Sequence, residues 1–268
     1  MHLIIFMWGF TGILGKLIQL DAIIIVWYRI LIAVSVLFLF FILTKKSFKI
    51  QKKHLWKISL VGMIVASHWL TFYYSIQLST ASLGILCLST TTLHVTWLEP
   101  LVMKRRFSWI EFLLSCCVVY GIYFVAGDFS PKEMTALYFG LLSALCAALF
   151  SVFNAKISQE VPSTHITLYE LIVGFIFVSI FLISIGRMNA AILQMTYSDF
   201  GWLLFLGILC TSFAFLVTID IIKRLGTFTV SLSINLEPVY TILLAIFTAS
   251  DMEVVSINIF LSLHLDDI

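Results

Sequence analysis

Apolar residues gather into nine segments along the chain, at about 3–20, 23–43, 57–78, 81–103, 107–126, 136–155, 166–185, 200–222 and 227–248, separated by short polar connections. Each runs about 18–23 residues, enough for a helix rising 1.5 Å per residue to cross a hydrocarbon core of about 30 Å. The runs are continuous rather than alternating in ten-residue stretches, which favours spanning helices over an outer-membrane barrel. The pattern predicts an all-α polytopic membrane protein.

Numbering the connections alternately sorts the basic residues. One side holds Lys45, Lys46, Lys49, Lys52, Lys53 and Lys57, then Lys104, Arg105 and Arg106, then Lys156, Lys223 and Arg224. The other side holds only Lys16, Lys132 and Arg187, and Arg29 falls inside a segment. Because cytoplasmic loops retain Lys and Arg, the expected topology has the basic side and the amino terminus in the cytoplasm of a bacterial cell, with the protein in the inner membrane. The first segment has no charged leader and contains Trp8, Gly9, Gly12 and Gly15, so it reads as a retained helix rather than a cleaved signal.

Only 11% of residues are charged and 61% are hydrophobic, too few polar groups to cover a water-facing surface. The net charge of +2 follows from the topology signals and implies no nucleic-acid partner; the partners are the lipid bilayer and a small-molecule solute. The loops leave no room for a separate enzymatic domain. The five cysteines, Cys87, Cys116, Cys117, Cys146 and Cys210, all lie in apolar segments without metal-site spacing, so they read as small buried residues. No metal or other cofactor is expected. No nucleophile elbow, zinc-helix motif, phosphate-binding glycine loop or pair of intramembrane aspartates is present, and no catalytic residues are assigned.

The chain also carries a faint duplication. Tyr28-Arg29 precedes Tyr169-Glu170 by 141 positions, and Lys16 precedes Lys156 by 140. Ser89 to Thr92 aligns with Asn235-Leu-Glu-Pro238 at a separation of 146, where His94 falls opposite Tyr240. Each unit would hold five helices, and an odd number forces the two units into opposite orientations, the inverted repeat found in transporters. The expected units are 1–127 and 136–268. In the second, Val254 to Leu265 supplies only twelve apolar residues for the fifth helix, about 18 Å, so a short or incomplete tenth helix is expected.

Ionisable groups within lipid are costly unless they meet a cavity or a partner, so they are the first functional candidates. By position along their segments, His68, His94 and Glu237 lie near mid-membrane, whereas Arg29, Glu99, Glu170, Lys16 and Asp220 lie nearer the ends. Glu237 precedes Pro238, whose missing N–H and ring disturb the helix; a carboxyl there suits proton uptake or binding of a solute amine, or a neutral contact between helices. Asn235 and Ser231 share one face beside it. His94 follows Thr90 by four residues and precedes Trp97 by three, a face able to stack on and hydrogen-bond a planar solute or to satisfy a histidine within the bundle. His68, Thr71 and Ser75 form a second polar stripe, flanked by Trp69 and Tyr73. Protons moving through Glu237 or a histidine are the candidate coupling ion, since no ATP motif is present. The oligomeric state stays open, a homodimer included.

Trp8-Gly9, Arg29, Ala33, Ser89 to Thr92 and Asn235-Leu-Glu-Pro-Val-Tyr240 together resemble the EamA-type family of the drug/metabolite transporter superfamily. The resemblance implies a ten-helix basket that exports or exchanges small metabolites, amino acids or drug-like solutes by alternating access. It marks Arg29 as the helix-two arginine, at the outer mouth as a gate, as an ion-pair partner of Asp21, or as an interfacial anchor; Glu170 is the corresponding residue of the second unit. Two departures stand out. Thr92 replaces the usual proline of the first unit, and Lys104-Arg-Arg106 and Ser250-Asp-Met-Glu253 replace the Gly-Glu that commonly follows helices four and nine. The alternative to a transporter is a degenerate, truncated membrane protein without transport activity.

Overall fold

The computed structural model describes residues 1–126 and 131–248, and every segment of defined secondary structure among them is helical. α1 (His2–Leu17), α2 (Ala22–Leu43) and α3 (Lys52–Leu78) follow the first three apolar runs. The fourth is divided into α4 (Ala81–Ser89) and α5 (Thr91–Met103), and the fifth is α6 (Trp109–Ala126). α7 (Pro131–Ile157) and α8 (Ser163–Ser184) come next. α9 (Tyr197–Gly207) passes through a π-helical turn, Ile208–Phe213, into α10 (Ala214–Leu225). The last described run is divided into α11 (Thr227–Ile234) and α12 (Glu237–Thr248). Six of these spans are long and apolar enough to cross a membrane, which makes the chain a multi-pass membrane protein. The expected tenth helix, after Asp251, lies outside the described residues.

The helices arise as they must in lipid, where each backbone polar group has to be satisfied within its own segment. Their outward faces are apolar: Leu101, Trp109, Ile110, Leu113 and Ile183 are all more than half exposed. The interior centres on α3, which packs against α7 and α8 and buries Val61, Val65, Phe72 and Tyr73. Gly62 is what allows the approach to α8. A Cβ there would stand 2.5 Å from the carbonyl oxygen and 3.0 Å from the Cα of Glu170. On the opposite side, α9 and the π turn pack on α2, and α12 packs on α1.

The two divided spans break in the same way. α4 ends at Ser89, and Thr90 (φ −69°, ψ −11°) joins it to α5; α11 ends at Ile234, and Asn235 (φ −61°, ψ −8°) begins the short link to α12. Pro238 therefore sits in the first turn of α12 rather than in a helix interior, where its missing N–H costs least. Thr92 holds the matching place, second in α5. Lys104, which closes α5, adopts a left-handed conformation with φ +56° and ψ +33°. The backbone turn expected of the missing glycine is thus present with lysine in it.

Beside that turn, Arg105 Nη2 binds Glu99 Oε2 at 2.9 Å and also contacts the Glu111 carboxylate. Glu99 Oε1 in turn accepts from the Thr227 N–H at 3.2 Å, tying α5 to the start of α11. Although Glu99 lies near the end of its segment, it is buried in this cluster, with Arg105 and the Thr227 N–H as partners.

Candidate functional site

A cavity enclosing about 80 Å³ lies among α1, α2, α3, α7, the π turn, α10 and the α11–α12 break. That is space for a few water molecules or one small chemical group. Its walls are aromatic, with Trp8, Trp69, Phe72, Phe150 and Phe215, and three sequence candidates line it: Arg29, His68 and Glu237.

Arg29 is only 3% exposed. Its Nε donates to Thr211 Oγ1 at 2.6 Å and its terminal nitrogens to the Tyr73 hydroxyl at 3.4 Å and the Cys210 carbonyl at 3.5 Å. The guanidinium lies 4.3 Å from the centre of the Trp69 ring, a cation–π contact in a desolvated setting. Two of the places considered for Arg29, a pair with Asp21 and an exposed anchor at the interface, do not match its burial and partners. Asp21 pairs with Arg187 at 2.5 Å, both well exposed. The π turn explains why Arg29 finds partners in an apolar interior. Its wide coil releases the Cys210 carbonyl, which also accepts from Trp8 Nε1 at 3.1 Å.

Glu237 opens α12 and is 3% exposed. The next turn of its helix is fixed by Thr241, whose Oγ1 donates to the Glu237 carbonyl at 3.0 Å and to the Gly9 carbonyl at 3.1 Å. The Gly9 of the Trp8-Gly9 pair thus carries the contact of α1 with α12. His68 is held by α7: its Nδ1 lies 3.0 Å from the Ser143 carbonyl and 2.9 Å from Ser143 Oγ, and its ring stacks on Phe72. One ring nitrogen is therefore committed to the bundle.

The other candidates stand elsewhere. Asn235 and Thr92 bind each other at the two helix breaks, with Asn235 Nδ2 donating to Thr92 Oγ1 at 3.1 Å. Thr90 is buried and donates to the Cys87 carbonyl, and it is Thr91 that reaches the cavity wall. His94 and Trp97 do share a face, with rings 6.3 Å apart, but Trp97 is 42% exposed on the outside of the bundle. Thr71 donates to carbonyls of its own helix and lines a separate depression of about 520 Å³ bordered by Asp21 and Arg187. Glu170 is fully buried against Asn154 and lies outside the cavity lining. Thr11, Ser151, Thr218 and Ser231 complete the polar lining; of these only Ser231 stood out in the sequence, because a lone hydroxyl in an apolar helix gives no sign of which way it faces.

Among the described residues, no cluster of three or more His, Cys, Asp or Glu is placed to hold a metal ion. The cysteines are free; Cys87 and Cys210 are buried, Cys116 and Cys146 are half-buried, and Cys117 is exposed, against the expectation that all five would be buried.

Taken together, the helical bundle, its apolar exterior and an aromatic-walled internal cavity that holds Arg29, His68 and Glu237 define an integral membrane protein. Residues 1–127 and 134–256 match the EamA-like transporter family, and the chain belongs to that family. It is 22% identical over 239 residues to the "Uncharacterized transporter YoaV" of Bacillus subtilis (strain 168), spanning 87% of this chain and 81% of that protein. A protein of known crystal structure shares the fold with a TM-score of 0.73 at 14% identity, over 92% of this chain and 85% of its own. The chain is a membrane transporter by family.

Proposed function

We propose that this protein exports or exchanges small amphipathic metabolites, amino acids and drug-like compounds among them, by alternating access and without ATP hydrolysis. The observation that carries the reading is the placing of one acid, Glu237, and one base, Arg29, in a single aromatic-walled cavity between the two halves of the chain. Glu237 accepts a solute amine or a coupling proton. Arg29 holds a fixed positive charge, and Trp8 and Trp69 contact the apolar body of the solute.

The halves are read as inverted five-helix units, 1–127 and 136–268. The packing supports this reading by its exchange symmetry. α3 of the first unit rests on α7 and α8, while α9 and α10 of the second rest on α1 and α2. α4 and α5 rest on α7, while α12 rests on α1. The equivalent spans also break at equivalent places. Such breaks at the boundary between repeats are where transporters bind substrate and coupling ion. The orientation follows the basic loops, with the amino terminus in the cytoplasm of the bacterial inner membrane.

The test is a comparative metabolite profile of the medium around cells producing the unaltered chain, Glu237→Gln, or neither. A solute that accumulates only with the unaltered chain supports export through Glu237. Equal accumulation with the variant retains the transporter and removes Glu237 from its path. No difference among the three, with the protein present in the membrane, overturns the proposal.

A further inference from the structure

The α7–α8 contact contains a chemical mismatch. Asn154 and Glu170 are both fully buried, and Asn154 Nδ2 donates to Glu170 Oε2 at 3.1 Å. The two remaining oxygens, Asn154 Oδ1 and Glu170 Oε1, are buried acceptors with no hydrogen-bond donor. Two acceptors on facing groups, already joined through one bond, lack a single hydrogen between them. An ionised carboxyl would leave both orphaned and a charge buried as well, at a cost of several kcal/mol. Asn154 from α7 is the side-chain partner of the Glu170 carboxyl, and the bare backbone of Gly62 from α3 lies against the Glu170 backbone.

We propose that Glu170 and Asn154 form a proton-binding site. The proton resides on Glu170 Oε1 and is donated to Asn154 Oδ1, while Asn154 Nδ2–H is returned to Oε2, closing a ring of two hydrogen bonds that satisfies all four groups. Loading takes one proton from water and leaves the carboxyl neutral; unloading returns it and leaves a carboxylate. Ser151, three residues before Asn154 on α7, lines the central cavity that holds Glu237. Glu170 lies outside that lining, so the chain holds a second buried carboxyl apart from Glu237.

The experiment is infrared spectroscopy of the full chain, purified in detergent at neutral pH, in water and in deuterated water. The expected result is a protonated carboxylic-acid carbonyl band, shifted by deuterium, that disappears in Glu170→Gln and persists in Glu237→Gln. Asn154→Leu should move that band to higher frequency, since the carbonyl loses its amide donor. Glu170→Gln is expected to fold with thermal stability close to that of the unaltered chain, because glutamine can complete the same ring with asparagine. A spectrum unchanged by Glu170→Gln would show an ionised Glu170 and overturn the site. Failure of Glu170→Gln to fold would overturn it equally. Neither readout depends on any solute being transported, so the site and the transport reading stand or fall separately.

Discussion

The side chains of Thr92 and Asn235 bind each other across 143 residues of sequence, Thr92 from the first turn of α5 and Asn235 from the link between α11 and α12. Asn235 Nδ2 donates to Thr92 Oγ1, and the Thr92 hydroxyl lies 3.3 Å from Asn235 Oδ1. The bond fastens the two discontinuities to each other at one edge of the central cavity. Both spans therefore bend where they are linked, and a movement of one half-helix is felt by the other.

Thr92→Val and Thr92→Pro separate the bond from the backbone. Valine removes the hydroxyl and should lower stability by about 0.6–1.7 kcal/mol, the usual range for side-chain hydrogen bonds between membrane helices. Proline also removes it, but occupies the place in α5 that Pro238 holds in α12, so the helix should accept it. Thermal unfolding followed by size-exclusion should find the two variants within about 1 kcal/mol of each other. A collapse confined to Thr92→Pro would contradict the equivalence of the two breaks.

Gly62→Ala and Gly201→Ala add the same methyl group to opposite settings. At Gly62 the new carbon meets backbone of α8, which has no side chain to swing aside, so α3 and α8 must separate. A loss of about 1–3 kcal/mol is expected, the usual effect of overpacking. At Gly201 nothing lies within 4 Å, and replacing a helical glycine should gain about 0.5–1 kcal/mol. Denaturation curves for the pair should diverge in opposite directions from the parent.

Lys104→Gly should stabilise the protein. A left-handed conformation costs a non-glycine residue about 1–2 kcal/mol, offset in part by the greater freedom of glycine in the unfolded chain. A net gain of about 0.5–1 kcal/mol is expected, visible as a higher midpoint of thermal unfolding. A lower midpoint would mean that the lysine side chain makes a contact worth more than the backbone strain.

Arg29→Lys is conservative in charge alone. The ammonium cannot reproduce the fork that reaches Thr211, Tyr73 and the Cys210 carbonyl together, nor the flat contact with Trp69. Loss of one hydrogen bond to a charged group at about 1.5–3 kcal/mol predicts export reduced by about tenfold or more. The measurement is the initial rate for whichever solute the metabolite profile identifies. An unchanged rate would leave Arg29 with a purely structural task.

The proposed orientation predicts which single cysteines a membrane-impermeant maleimide reaches in intact cells. In a background without the five native cysteines, Met188→Cys in the α8–α9 connection should react and Lys49→Cys in the α2–α3 connection should not. The reverse pattern would invert the topology.

The spans were legible in the sequence because lipid allows an apolar run of about twenty residues few other fates. Their interruptions were legible only in part. Pro238 marked a disturbance near Asn235, whereas Thr90 breaks its helix with no proline to announce it, and the π turn at Ile208–Phe213 carries no such signal either. The candidate site was legible where chemistry was conspicuous, at Glu237, His68 and Arg29. It failed where a direction was needed. Periodicity correctly put His94 and Trp97 on one face, but helical spacing relates residues to one another and not to the centre of the bundle. The burial of Arg29 and Glu170 was not legible, because distance from a segment end says little about what packs over a side chain. Trp8 carried the family resemblance without any sign that its indole nitrogen would meet a carbonyl freed by a turn some 200 residues away.

That π turn acts as a phase shifter. One surplus residue in a coil of 3.6 per turn rotates everything downstream by about 100°. Phe215, Thr218 and Ile222 face the cavity only with that rotation included. Deleting a single residue between Ile208 and Phe213 would leave the composition of the span almost unchanged and yet turn a different stripe of α10 inward. The inner lining of this wall is thus encoded as a count, and insertions or deletions there can rewrite it without changing a single side chain of the stripe itself.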